Sequence, residues 1–84
     1  MNRSELRSVF FAELKRIAPE LEEADLRSDR PLREQVDLDS MDWLNFLVAL
    51  HERLQVDIPE ADYKRLATLE QALDYLAGKL GSPR

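Results

Sequence analysis

Near the start of the chain, Leu6, Val9, Phe10, Leu14 and Ile17 recur at steps of three and four, while Glu13, Lys15 and Arg16 fall mostly off that face. The spacing predicts an amphipathic helix from Ser4 to Ala18. Asn2 with Glu5 three residues later suits its N-terminus as a capping pair, and Pro19 disfavours helical geometry at Ala18. From Pro19 to Asp39 no sustained period survives, charge is dense and a second proline stands at position 31. This stretch reads as a long connection anchored in the core by Leu21, Leu26, Leu32, Val36 and Leu38. A loop of that length is unusual in a compact domain, and is usually either functional or a sign of hidden structure.

A second helix is expected from Ser40 to Leu54, a stretch without Gly or Pro that ends before Val56-Asp57-Ile58-Pro59. A short third helix, Glu60 to Leu66, follows the proline. Thr68-Leu69-Glu70-Gln71 is a capping-box pattern opening a fourth helix, in which Leu69, Ala72, Leu73, Leu76, Ala77 and Leu80 keep helical spacing. Gly78 and Gly81, the two glycines of the chain, stand where that helix should end. No strand-like alternation, internal repeat or low-complexity tract interrupts the pattern. The expected fold is all-α, one domain over residues 1–84 built as a bundle of three main helices plus one short helix.

The second helix has more apolar surface than a single core contact needs. With Ser40 as zero, Phe46, Leu50, Trp43, Leu54 and Leu47 occupy an arc from roughly 240° to 340° at 100° per residue. That arc is a core face, and Trp43 belongs to it. Leu44, Val48 and Met41 fall at roughly 40° to 100°, widening the apolar surface to about 220°, with Asn45 and Glu52 at its edge. Two readings stand. Either the helix is central and buried on both stripes, or the second stripe is a docking strip beside Ser40, apolar in the middle and acidic at its rim.

Composition narrows the chemistry. The 84 residues are 44% hydrophobic and 35% charged, enough for one compact core and too few for a large enzyme. There is no cysteine and one histidine, which excludes disulfides, thiolate nucleophiles and histidine-cluster metal sites. The longest apolar run, Phe46 to Leu50, is five residues, against about 20 for a bilayer span. The opening Met-Asn-Arg-Ser-Glu-Leu-Arg contains acid and no signal-type apolar core, so a soluble, cytoplasmic protein is expected. The formal net charge of −5 argues against nucleic acid as a partner. Asp37 to Asp62 alone carries −6, with Asp37, Asp39, Asp42, Glu52, Asp57, Glu60 and Asp62 against Arg53. Such a block is either a solvated face or a field that steers basic partners.

Ser40 as a hydrolytic nucleophile would need a general base, and His51 is the one imidazole. Eleven residues along a helix put it about 16 Å away. No Gly-x-Ser-x-Gly turn surrounds the serine either. Read from the residues alone, Asp39 or Ser40 is an N-cap, Asp42 sits favourably in a positive first turn, and His51 is a polar residue of the exposed stripe.

The run Asp37-Leu38-Asp39-Ser40-Met41-Asp42 resembles the acyl carrier protein family, in which the modified serine lies in an Asp-Ser-Leu or Asp-Ser-Met motif at the start of the second helix. Pro31-Leu32-Arg33, Val56-Asp57-Ile58-Pro59 and Tyr75-Leu76-Ala77 are in keeping with the family, so the resemblance covers nearly the whole chain. It implies a non-catalytic carrier with 4'-phosphopantetheine on Ser40, transferred from coenzyme A by a separate magnesium-dependent phosphopantetheinyl transferase. The arm would carry an acyl group as a thioester, which suits a chain lacking cysteine. Further implied partners are an acyl-loading ligase or synthase and downstream acyl-transferring enzymes with basic docking surfaces. The expected docking residues are Asp39, Met41, Asp42, Leu44, Val48, His51 and Glu52, and the core between the helices could shelter a short acyl chain. The family implies a monomer.

The departures from the family point away from its commonest branches. Carriers of primary fatty acid synthesis have a Gly shortly before the serine and several glutamates along the second helix. Here Asp37-Leu38 takes that place, and Asn45 and His51 interrupt the acids. The Gly-Gly pair of peptidyl carriers is absent too. D-alanyl carriers share Leu-Asp-Ser-Met, as in Leu38 to Met41, and an aminoacyl cargo is the alternative on that ground. The preferred reading is a stand-alone, specialised acyl carrier for a dedicated biosynthetic pathway. Its rival is an unmodified acidic helical interaction module in which Ser40 is only a cap.

Overall fold

The computed structural model describes residues 2–80, and these form an all-α bundle. The main helices are α1 (Arg3–Ile17), α3 (Ser40–Leu54) and α4 (Leu69–Leu80). A short α2 (Leu32–Gln35) and a 3-10 helix (Glu60–Leu66) complete the frame. Helix α1 starts as its sequence requires: Asn2 Oδ1 accepts from the Glu5 backbone N–H at 2.8 Å, and the Glu5 carboxylate accepts from the Asn2 N–H at 3.2 Å. The capping box thus satisfies two of the N–H groups that a helix start leaves without partners. At α4 the Thr68 hydroxyl accepts from the Gln71 N–H at 3.1 Å.

Helix α1 packs against both α3 and α4, so its buried arc is wider than one stripe. Leu6, Phe10 and Leu14 are buried as expected, Val9 and Ile17 are half-buried, and Phe11 joins the core. Glu13 corrects the sequence reading. It was expected off the apolar face, yet its side chain is only 2% exposed. Arg53 of α3 reaches it at 2.7 Å and Arg16 at 3.2 Å, so the carboxylate is buried with its charge compensated from two helices.

The connection between α1 and α3 is not bare loop. Glu23–Asp25 form a 3-10 turn and Leu32–Gln35 a turn of α-helix. Leu26, Leu32, Val36 and Leu38 are buried and Leu21 is half-buried, so the expected anchors hold this segment to the core. Its backbone is tied to the start of α4 by Leu32 N–H to the Ala67 carbonyl at 2.8 Å and Glu70 N–H to the Ser28 carbonyl at 3.0 Å. Gln35 closes it further, accepting from the Arg27 N–H and donating to the Arg27 and Arg30 carbonyls. Hydrophobic period could not announce this order, since local side-chain bonds and remote backbone partners supply it.

Helix α3 has the bounds the sequence predicts, and its end is built from its own last turn. Gln55 adopts a left-handed conformation at φ 56°, and its N–H donates to the His51 carbonyl. Gly78 lies inside α4 and does not end it, while Gly81 lies outside the described residues. Between α1 and α3 the interior is filled by Phe10 standing edge-on to Phe46, ring centroids 5.0 Å apart.

Candidate functional site

The connection delivers Asp39 to the start of α3 in an extended conformation, φ −80° and ψ 179°. Its Oδ1 accepts from the Asp42 N–H at 2.8 Å, the bond expected of an N-cap. Asp39, not Ser40, is therefore the cap, and the choice left open between them is resolved. Ser40 becomes the first helical residue, exposed, and among the described residues its hydroxyl has no hydrogen-bond partner. The free N–H groups and positive dipole end of a 15-residue helix lie beside it, a setting that favours an anion.

Two apolar stripes on α3 meet different fates. Phe46, Leu47, Leu50 and Leu54 are buried. Met41, Leu44 and Val48 are 65%, 41% and 43% exposed, which decides against burial of the whole arc. The exposed stripe starts next to Ser40 and climbs two turns of the helix. Glu52 is exposed at its far end, on the α1 side, over a shallow hollow shared with Asn45, Ala49, Arg16 and Ile17. Asp42 is half-buried at its base.

Trp43 is half-buried. Its ring leans on Phe46 at 5.7 Å between centroids, and it also lines a cleft of about 240 Å³ with Pro31, Arg33, Tyr63, Lys64 and Ala67. It is core and surface at once. The residues joining it come from α2 and the 3-10 helix and the cap residues Pro31 and Ala67 beside them, far apart in sequence, so no spacing signal could have assembled them.

His51 is exposed, but its Nδ1 lies against the Val56 carbonyl oxygen. A carbonyl only accepts, so Nδ1 is the donor in this contact. The imidazole thus helps close the end of α3, a role that spacing alone did not reveal. It is no base for Ser40, since eleven residues of helix hold the two about 16 Å apart. The Asp39 carboxylate is engaged in its cap. What the arrangement offers is a hydroxyl at a helix start, flanked by an apolar strip and open to another protein's active site.

The profile of the family described as "phosphopantetheine attachment site" matches residues 12–76, from the middle of α1 to the last turns of α4.

Proposed function

Because the chain belongs to the phosphopantetheine attachment-site family, whose members carry a covalently attached 4'-phosphopantetheine, we propose that Ser40 is the attachment residue and that an acyl group is the cargo. The observation carrying this reading is an exposed Ser40 with an unengaged hydroxyl at the first position of α3, inside Asp39-Ser40-Met41. The residues fit the group. A phosphodiester on Ser40 Oγ would lie at the helix N-terminus, whose N–H groups favour its charge. Asp39 and Asp42 oppose that charge, so their place is better explained by attraction of basic partner surfaces.

When bound, the arm supplies a terminal thiol that holds cargo as a thioester, chemistry a chain without cysteine cannot offer by itself. The chain's own residues present and recognise. Asp39 fixes the helix start and thereby the direction of Ser40. Met41, Leu44 and Val48 give the apolar centre of a docking face, with Asp42, His51 and Glu52 at its polar margin. Family members are carriers modified by a transferase and met by synthase partners. For this chain the reading is a cytoplasmic single-domain carrier serving a specialised pathway, its partners bearing basic surfaces. No helix among the described residues is long and apolar enough to cross a membrane.

The test is intact mass before and after incubation with coenzyme A, magnesium and a broad-specificity phosphopantetheinyl transferase. One added phosphopantetheine is expected on the native protein and none on Ser40→Ala, with unchanged thermal unfolding in the variant. Addition to the variant as well would move the attachment point elsewhere.

A further inference from the structure

His51 continues the exposed strip of α3: Leu44, Val48 and His51 follow one another at steps of four and three, so all three share one face of the helix. Its side chain is exposed while Nδ1 is committed to the Val56 carbonyl, and among the described residues Nε2 makes no hydrogen bond. A neutral imidazole holding that contact carries its proton on Nδ1, and a protonated one carries a proton on each nitrogen. Nδ1 therefore donates to Val56 in either state. The second proton enters at Nε2, the unbonded edge of the ring, so the charge of the strip changes without loss of the bond that helps close α3. Histidine is the side-chain type whose ordinary titration falls between about pH 5 and 8. Few charged groups surround the ring. Asp57, from the segment after α3, and Tyr63, from the 3-10 helix, share a hollow with it alongside Leu47, Val48 and Ile58. On α3 itself the adjacent charges are Glu52 and Arg53, and Arg53 is turned to Glu13 of α1.

We propose that His51 is a specificity-determining residue of the carrier, its charge setting how tightly the docking strip takes a basic partner. The inference rests on the carrier reading and on the strip as the docking face. Unprotonated, His51 leaves the segment from Asp37 to Asp62 at its full −6. Protonation adds one positive charge, giving −5 in that segment, and places it on the strip itself, one helical turn beyond Val48. A basic surface then meets repulsion at the end of the strip. Docking of a basic partner is strongest where His51 is neutral and weakens as pH falls through the histidine range. A partner with an acidic surface gains what a basic one loses, so the protonation state selects between them. A glutamate at this position would keep its negative charge over most of that range and could not grade the contact in this way.

The probe is the modification of Ser40 by a phosphopantetheinyl transferase with a basic carrier-docking surface, followed by mass from about pH 5.5 to 8. At each pH the kcat/KM of native protein is divided by that of His51→Gln, which cancels the titration of the transferase itself. The ratio is expected to be near one at the alkaline end. It should fall about three-fold at the acid end, through KM and not kcat, the scale of an exposed charge contact. His51→Lys, positive throughout, should show weak docking at every pH. His51 is the one histidine of the chain, so its imidazole resonance is followed by NMR without ambiguity. Its titration midpoint should move to lower pH when the transferase is added, because a partner that prefers the neutral form must oppose protonation. Helix content by circular dichroism should stay constant across the range. A ratio independent of pH, or a midpoint that stays in place, overturns the proposal and leaves attachment at Ser40 standing. A fall carried by kcat alone, or helix lost on acidification in native protein but not in His51→Gln, makes His51 a structural residue and also overturns it. Failure of Ser40 to gain mass removes the carrier reading and this inference together.

Discussion

Asp39 shows how one side chain sets the geometry of the site. Its carboxylate bonds the Asp42 N–H and starts α3 at Ser40, so the orientation of the serine depends on it. Asp39→Ala should cost about 1 kcal/mol, the usual loss for a missing N-cap. In a domain of this size that lowers the thermal midpoint by roughly 4 to 8 °C. Asp39→Asn keeps an acceptor and should recover most of the loss, with circular dichroism melting as the measurement. Because capping is local, the sequence narrowed the cap to Asp39 or Ser40, and the extended backbone at Asp39 decided between them. The burial of Glu13 was not legible: its partner Arg53 lies 40 residues away, and only the approach of α3 to α1 makes an inward carboxylate tolerable.

At the scale of the element, α3 serves two surfaces with one helix. Phe46, Leu47, Leu50 and Leu54 hold it in the bundle and leave Met41, Leu44 and Val48 exposed, the strip proposed to meet partners. Met41→Ala and Asp42→Lys should each slow modification by the transferase and onward cargo transfer several-fold, equivalent to about 1 kcal/mol of binding. Neither should unfold the domain, although lysine in the first turn opposes the helix dipole by about 0.3 to 1 kcal/mol. Transfer rates equal to the native protein's in both variants, measured by mass over time, would remove the docking role of the strip. The bounds of α3 could be read from the sequence, since an unbroken apolar period and the absence of Gly and Pro mark them. The exposure of its second stripe could not, because periodicity gives the direction of side chains and not what they meet.

Across the whole molecule, Tyr75 of α4 ties the last helix to the 3-10 helix. It is 6% exposed and donates to Asp62 Oδ2 at 2.7 Å. Burial first, then that hydrogen bond and the negative charge of Asp62, push its phenol from 10.0 up to about 12. A raised value means the unfolded chain loses this proton first. The stabilisation is therefore complete below pH 10 and is lost as pH rises toward about 12. The loss should be on the order of 2 kcal/mol. Denaturant unfolding across that window should show a steeper decline for the native protein than for Tyr75→Phe, and parallel declines would refute the link. What the sequence by itself determined was local: the bounds of α3, the Asn2 and Thr68 caps, the apolar anchors of the long connection, and Ser40 at a helix start, while the turn of α2 and the continuation of α4 through Gly78 were missed. What only the tertiary structure decided was remote: the burial of Glu13, the exposure of Met41, Leu44 and Val48, the Tyr75–Asp62 contact, and the meeting of Arg33, Trp43, Tyr63 and Lys64 around one cleft. These depend on which helix faces come together, and packing of distant segments, not spacing along the chain, fixes that.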